Sequence, residues 1–127
     1  MTENRIQPRF ATTTSDAGVV TVHCAGDLDL ATTSRLRDAL LSPFRGGASA
    51  VVADLTETTY CDSTVYSVLV ESYREALAHD VPYAIAAART AVVRHLAILG
   101  LDRLLPLHPG IAEAHAVVAG TDARQVS

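Results

Sequence analysis

An α/β fold is predicted for this 127-residue chain: a mixed β-sheet with an N-terminal hairpin and about four packed α-helices. Three observations predict it. Two short segments of two-residue period flank Asp16-Ala17-Gly18, which is a hairpin signal. Beyond residue 30 brief apolar runs alternate with stretches of helical period, the pattern of parallel strands joined by right-handed helical crossovers. Apolar residues make up 49% and charged residues 19%, a balance that suits a packed domain rather than a disordered chain.

Residues 1–8 read as a polar, flexible leader, residues 9–120 as one domain and residues 121–127 as a flexible tail. Phe10 to Thr14 and Val19 to Ala25 are the hairpin strands. Val20, Val22 and Cys24 lie on one face of the second strand, with Thr21 and His23 on the other, so His23 is an outward or cross-strand residue rather than a ligand. Thr32 to Leu41 carries Leu36, Ala39 and Leu40 at helical spacing behind a Thr or Ser cap, and Pro43 is expected to end the helix. Ala48 to Leu55, bounded by Gly46-Gly47 and by polar Thr56-Glu57-Thr58, suits a strand buried on both faces.

A helix from about Ser63 to Ala78 places Val65, Val68, Leu69, Ser72 and Ala76 on one stripe, with Glu71, Arg74 and Glu75 elsewhere, and Asp80 closes it. Val81 to Ala87 then reads as a buried strand and Ala91 to Leu99 as a helix ended by Gly100. Leu104 to Leu107 reads as a short strand and Ile111 to Ala119 as the last helix. The order is ββαβαβαβα. A flavodoxin-like sheet shares this alternation, so periodicity settles the class ahead of the topology.

Composition narrows the function. A net charge of -4 speaks against nucleic acid, which binds to concentrated basic surface. All ten basic residues are Arg, which excludes a Schiff-base lysine and the lysine of a nucleotide-binding P-loop. Cys24 and Cys61 have neither a C-x-x-C nor a zinc spacing and read as reduced core thiols. His79, His95, His108 and His115 lack a metal spacing and read as surface or helix-end residues. No cofactor, metal or enzymatic activity is expected, because the paired Asp27 and Asp29 have no His, Lys or Cys beside them in sequence to complete a catalytic set. No apolar run is long enough to span a bilayer, and MTENRIQPRF lacks the apolar middle of a secretory signal, so the cytosol is the expected compartment.

The most informative stretch is Tyr60-Cys61-Asp62-Ser63-Thr64-Val65-Tyr66. It sets three small polar side chains between the end of a buried strand and the start of an amphipathic helix. Backbone N–H groups there lack intrahelical partners and carry partial positive charge, so an anion formed at that point is stabilised. Local chemistry alone also fits plain capping by Asp62 or Ser63.

This stretch, with VVADLTETTY before it, resembles the STAS-domain pattern of the anti-sigma-factor antagonist family: an apolar strand, a short turn, Asp-Ser-Ser/Thr-Gly-Leu and a helix. GDLDLATTSRL at 26–36 is similar to that family's entrance to its first helix, and LGLDRLLPLH at 99–108 resembles its Gly-Leu turn and final strand. The resemblance implies a STAS-like fold with Ser63 as phosphoacceptor, Thr64 as the second hydroxyl position and Asp29 as the acidic residue nearby. It implies a partner surface formed by Asp27, Asp29, Thr32, Asp62, Ser63, Thr64, Val65 and Tyr66. The implied partner is an anti-sigma factor, often itself the Ser/Thr kinase that modifies the serine. Binding of the unphosphorylated protein releases the sigma factor, and a separate Ser/Thr phosphatase restores the active form.

Val65-Tyr66 stand where the family has Gly-Leu, and a β-branched residue is expected to add volume where the partner approaches. That departure supports an alternative, a non-phosphorylated STAS scaffold module in a sensory or lipid-transport complex.

Overall fold

Hairpin and crossovers combine into a five-stranded sheet in the computed structural model, which describes residues 6–126, with side chains through residue 120. The strands are β1 (Arg9–Thr14), β2 (Val19–Leu28), β3 (Ala50–Cys61), β4 (Tyr83–Ala86) and β5 (Leu107–His108). The helices are α1 (Thr33–Arg45), α2 (Ser63–His79), α3 (Thr90–Ile98) and α4 (Ile111–Val126), with a 3-10 turn at Leu30–Thr32 before α1. The spatial order is β1-β2-β3-β4-β5, antiparallel between β1 and β2 and parallel elsewhere. The predicted class and element order are therefore those found.

The two faces of the sheet are covered unequally. One carries the main core, in which Val22, Val51, Leu55 and Ile85 meet Leu36 and Leu40 of α1, Leu69 of α2 and Leu96 of α3. The other packs small residues, Ala50, Val52, Ala84 and Ala86, against Ala114 and Val118 of α4. Cys24 and Cys61 are free thiols within the main core. Burial pushes both thiols up, that of Cys61 to about 12. Among the described residues no helix is long and apolar enough to cross a membrane.

Several boundaries differ from the sequence expectation for physical reasons. Pro43 lies inside α1 rather than ending it. It withholds one N–H from the ladder, yet Gly46 N–H still reaches the Ser42 carbonyl at 2.9 Å. Phe44 is buried edge-on against the Tyr83 ring, with centroids 5.5 Å apart, so tertiary packing carries the helix past the proline. β3 likewise continues through Thr56-Glu57-Thr58 to Cys61, because β2 lengthens beside it and pairs Gly26 with Thr58 and Leu28 with Cys61. Thr58 is fully buried there, its hydroxyl donating to the Cys24 carbonyl at 2.8 Å.

β5 comprises Leu107–His108 alone. The N–H groups of Leu104 and Leu105 both turn back to the Leu101 carbonyl, which lets Leu105 plug the core instead of extending a strand. α4 continues past Ala119 to Val126, so the expected tail at 121–127 begins within that helix, and Ser127 lies outside the described residues. Of the expected leader, residues 1–5 lie outside the described residues. Its inner end is tied down, since Ile6 N–H donates to Asp27 Oδ2 at 3.0 Å and Asp27 N–H donates to the Ile6 carbonyl at 2.9 Å.

Gly26 permits that approach. Its φ is +88°, and a Cβ at this position would lie 2.2 Å from the Gln7 carbonyl oxygen. Both the left-handed backbone and the collision disfavour any side chain. Gly26→Ala is accordingly expected to destabilise the fold by about 1–3 kcal/mol, read as a lower midpoint in urea unfolding, and an unchanged midpoint would contradict this packing.

Candidate functional site

β3 delivers the chain to the carboxyl edge of the parallel strands, where α2 begins. Asp62 has extended backbone (φ -99°, ψ -178°) and caps the helix. Its Oδ1 accepts the N–H of Thr64 at 3.0 Å and of Val65 at 3.3 Å, together with the Thr64 hydroxyl. These are first-turn donors that would otherwise lack partners. The other oxygen, Oδ2, accepts Leu30 N–H from the 3-10 turn at 3.0 Å. Partial burial works to raise the Asp62 carboxyl, but the bonds from Thr64, Val65 and Leu30 outweigh it and hold the group below the usual carboxylate range.

Asp29 does the equivalent job at the start of the turn. Its Oδ1 accepts Ala31 N–H at 3.1 Å, and the Thr32 hydroxyl oxygen accepts Asp29 N–H at 3.1 Å, a reciprocal capping box. The Asp29 carbonyl accepts the Thr33 hydroxyl at 3.0 Å, and the Thr33 hydroxyl lies 2.8 Å from that of Thr64. A circuit of polar contacts thus joins the beginnings of α1 and α2, in which the Thr33 and Thr64 hydroxyls share their two protons among the Asp29 carbonyl, each other and Asp62.

Ser63 stands outside that circuit, exposed as the first residue of α2. Among the described residues none is hydrogen-bonded to its hydroxyl; only its carbonyl is engaged, accepting the Ser67 hydroxyl at 3.2 Å. On one side lies a groove of about 430 Å³ lined by Ser63, Tyr66, Ser67, Val70, Arg74, Leu99 and Leu101. On the other lies Leu30, 72% exposed although its own N–H is bonded to Asp62. Tyr60, 51% exposed, precedes the site on β3.

Of the eight residues expected at the contact surface, the structure brings Asp29, Asp62, Ser63 and Thr64 together. Asp27 faces a different task, accepting the Thr59 hydroxyl at 2.5 Å and Ile6 N–H, and has no bond to the Ser63 region. Thr32, Val65 and Tyr66, also expected at that surface, are buried at 4%, 0% and 3% exposure, with Tyr66 lining the floor of the groove beside Ser63. Val65 follows the helical period into the core, so its branched side chain adds no bulk at the exposed face. Tyr66 turns inward, its hydroxyl 3.1 Å from His95 Nδ1 and its ring edge-on to the imidazole, which couples α2 to α3.

Leu30, Arg74, Leu99 and Leu101 escaped the sequence reading. An apolar Leu30 directly after Asp29 is one local signal, and the helical period that sets Ser63, Ser67, Val70 and Arg74 on one face of α2 is another; Leu99 and Leu101 join the site through tertiary packing. Among the described residues no group of three His, Cys, Asp or Glu side chains could hold a metal ion.

Comparison with known proteins follows the same geometry. The sequence pattern of the STAS domain matches residues 11–114. An anti-sigma factor antagonist from Mycobacterium paratuberculosis superposes with a TM-score of 0.82 at 25% identity, covering 89% of this chain and 95% of that one. The anti-sigma factor antagonist SpoIIAA in its unphosphorylated form gives 0.74 at 18% identity, covering 88% and 97%. The Bacillus cell fate determinant SpoIIAA in its phosphorylated form gives 0.68 at 15% identity, covering 87% and 99%. No curated protein matches the chain.

Removing the Asp62 carboxylate tests the joint between the two helix starts. Asp62→Ala is expected to cost about 0.5–2 kcal/mol at neutral pH, as for other lost caps. The folded-state pKa is depressed, so this stabilisation is fully present above the unfolded value near 3.8 and is lost as pH falls through the folded value. Urea unfolding of both proteins should therefore show a gap that narrows below pH 3.8; a gap constant with pH would remove the charge from the explanation.

Proposed function

The chain belongs to the STAS-domain family, and we propose that within it this protein is an anti-sigma-factor antagonist switched at Ser63. The observation that carries the reading is the exposed, unbonded hydroxyl of Ser63 at the first turn of α2, beside an apolar groove and the exposed Leu30. Unphosphorylated, this surface docks an anti-sigma factor, which in the same complex acts as the Ser/Thr kinase, and docking releases the sigma factor. The contact residues are Asp62, Ser63 and Thr64 with Leu30 and the groove, and Asp29 holds the circuit behind them. Location in the cytoplasm and reversal by a Ser/Thr phosphatase belong to the same reading, which is that of a binding switch and not of an enzyme.

Phosphate would add about -1.5 to -2 charges and a tetrahedral group at this position. The positive end of the helix favours that charge within the molecule itself, with the Thr64 and Val65 N–H groups already held by Asp62. A partner surface fitted to a neutral hydroxyl would instead meet a bulky, strongly hydrated dianion next to apolar Leu30 and Leu99. Binding is lost while the fold persists, because the Ser63 side chain supports nothing in the core. That SpoIIAA is known in an unphosphorylated and a phosphorylated form on this same fold supports the reading.

The test is affinity capture from cells carrying the wild type, followed by titration of the recovered anti-sigma factor against Ser63 variants. Ser63→Ala should bind like the unphosphorylated wild type and accept no phosphate, whereas Ser63→Asp should bind at least tenfold more weakly. Equal affinities for the Ala and Asp variants, or phosphate mapped elsewhere, would overturn the switch. A wild type that recovers a stable assembly with no kinase and no phosphate would favour the scaffold reading instead.

A further inference from the structure

We propose that Thr13 is a second reactive hydroxyl, unrelated to the Ser63 surface, which His23 and Asp54 prepare to accept an acyl group from an activated ester. The three residues sit on adjacent strands β1, β2 and β3, on the face of the sheet that α4 covers. His23 Nδ1 lies 2.7 Å from Asp54 Oδ2, and His23 Nε2 lies 3.2 Å from Thr13 Oγ1. The other Asp54 oxygen accepts the Thr56 N–H at 2.9 Å and the Thr56 hydroxyl at 2.6 Å, which fixes the carboxylate from behind.

This geometry assigns the protons. Asp54 is buried and, although burial works to raise its carboxyl, the bonds from Thr56 and His23 keep it below the usual range, so it is an acceptor at neutral pH. The imidazole proton is then on Nδ1, facing Asp54, and Nε2 offers its lone pair to the Thr13 hydroxyl. A nucleophile within reach of a base that a third group orients is the arrangement that activates hydroxyls.

Burial grades along the chain in the useful direction. Asp54 is 7% exposed, His23 is half-buried, and Thr13 is open to solvent. Thr13 also borders a groove of about 380 Å³ between the hairpin and α4, where Val19, Val118 and Ala119 offer an apolar wall and Thr21 is bonded to His115 at 2.9 Å. An acyl chain fits such a wall, and its carbonyl carbon would be presented at the Thr13 end.

The step is a single transfer. Thr13 Oγ bonds to the acyl carbon as its proton passes to His23 Nε2, the bond from carbon to the leaving oxygen breaks, and Nε2 returns the proton to that oxygen. The products are an ester on Thr13 and the free alcohol or phenol. Asp54 keeps its negative charge throughout and stabilises the imidazolium that forms in between.

A merely cross-strand staple would leave Thr13 no more reactive than Thr12 and Thr14, exposed hydroxyls on the same strand. The full chain, treated with p-nitrophenyl acetate and mapped by fragmentation, should carry acetyl on Thr13 at least tenfold above either neighbour. The absence of lysine keeps competing amide formation low. His23→Gln, with folding verified by circular dichroism, should bring Thr13 down to the level of its neighbours, and Thr13→Ser should restore a reactive hydroxyl that Thr13→Val lacks. Acetyl spread evenly over Thr12, Thr13 and Thr14 in the wild type, or a Thr13 rate unchanged in His23→Gln, would overturn the proposal.

Discussion

One carboxylate holds two crossovers together. Asp62 receives N–H groups from its own helix and from the 3-10 turn more than thirty residues earlier, so parting the ends of β2 and β3 would strip Leu30 N–H of its bond to that carboxylate. Because Asp62 itself does the capping, the next residue is relieved of that duty. Ser63 can therefore point outward with a free hydroxyl while the helix start stays satisfied. The position best placed for an anion is also the one whose side chain the fold does not need, and a switch that leaves the structure intact requires both properties.

The uneven covering of the sheet divides the molecule into two regions of different character. Three helices cover the face carrying the main core, and Ser63 sits at the carboxyl edge where α2 leaves that layer. Among the described residues the opposite face has only α4, packed on alanines and a valine of the central strands. Its margin over β1 and β2 carries Thr13 and His23 within reach of water, with Thr21 buried beneath His115, and polar groups there bond to one another across strands. Small residues under α4 allow close contact at the centre, and that closeness leaves the hairpin side uncovered.

Local pattern was enough wherever a residue's fate depends on its own neighbours in the chain. The stripe of Val65, Val68, Leu69, Ser72 and Ala76 is buried as its period requires, Asp80 closes α2 in the left-handed conformation, and Ser63 is exposed behind an Asp62 cap. Pattern failed where distant packing decides. Nothing near Pro43 reports that Tyr83 will bury Phe44, and the polar run Thr56-Glu57-Thr58 looks like a boundary until β2 extends beside it. Leu99 and Leu101 come to line the groove beside Ser63 only through folding, as Thr13, His23 and Asp54 come together across separations of 10 and 31 positions. For Val65 and Tyr66 two signals compete: the motif position implies partner contact, whereas the burial of both agrees with packing of the helix on the core.

The two sulfur atoms lend the proposed switch a selectivity of their own. Cys61 lies one residue before Asp62 on the chain, near enough for oxidation to disturb the helix start, yet burial keeps its thiol protonated through the physiological range. A protonated sulfur is a poor target for peroxide or for electrophiles. Burial thus separates the sulfur chemistry of Cys61 from the solvent-facing hydroxyl only two positions further along the chain.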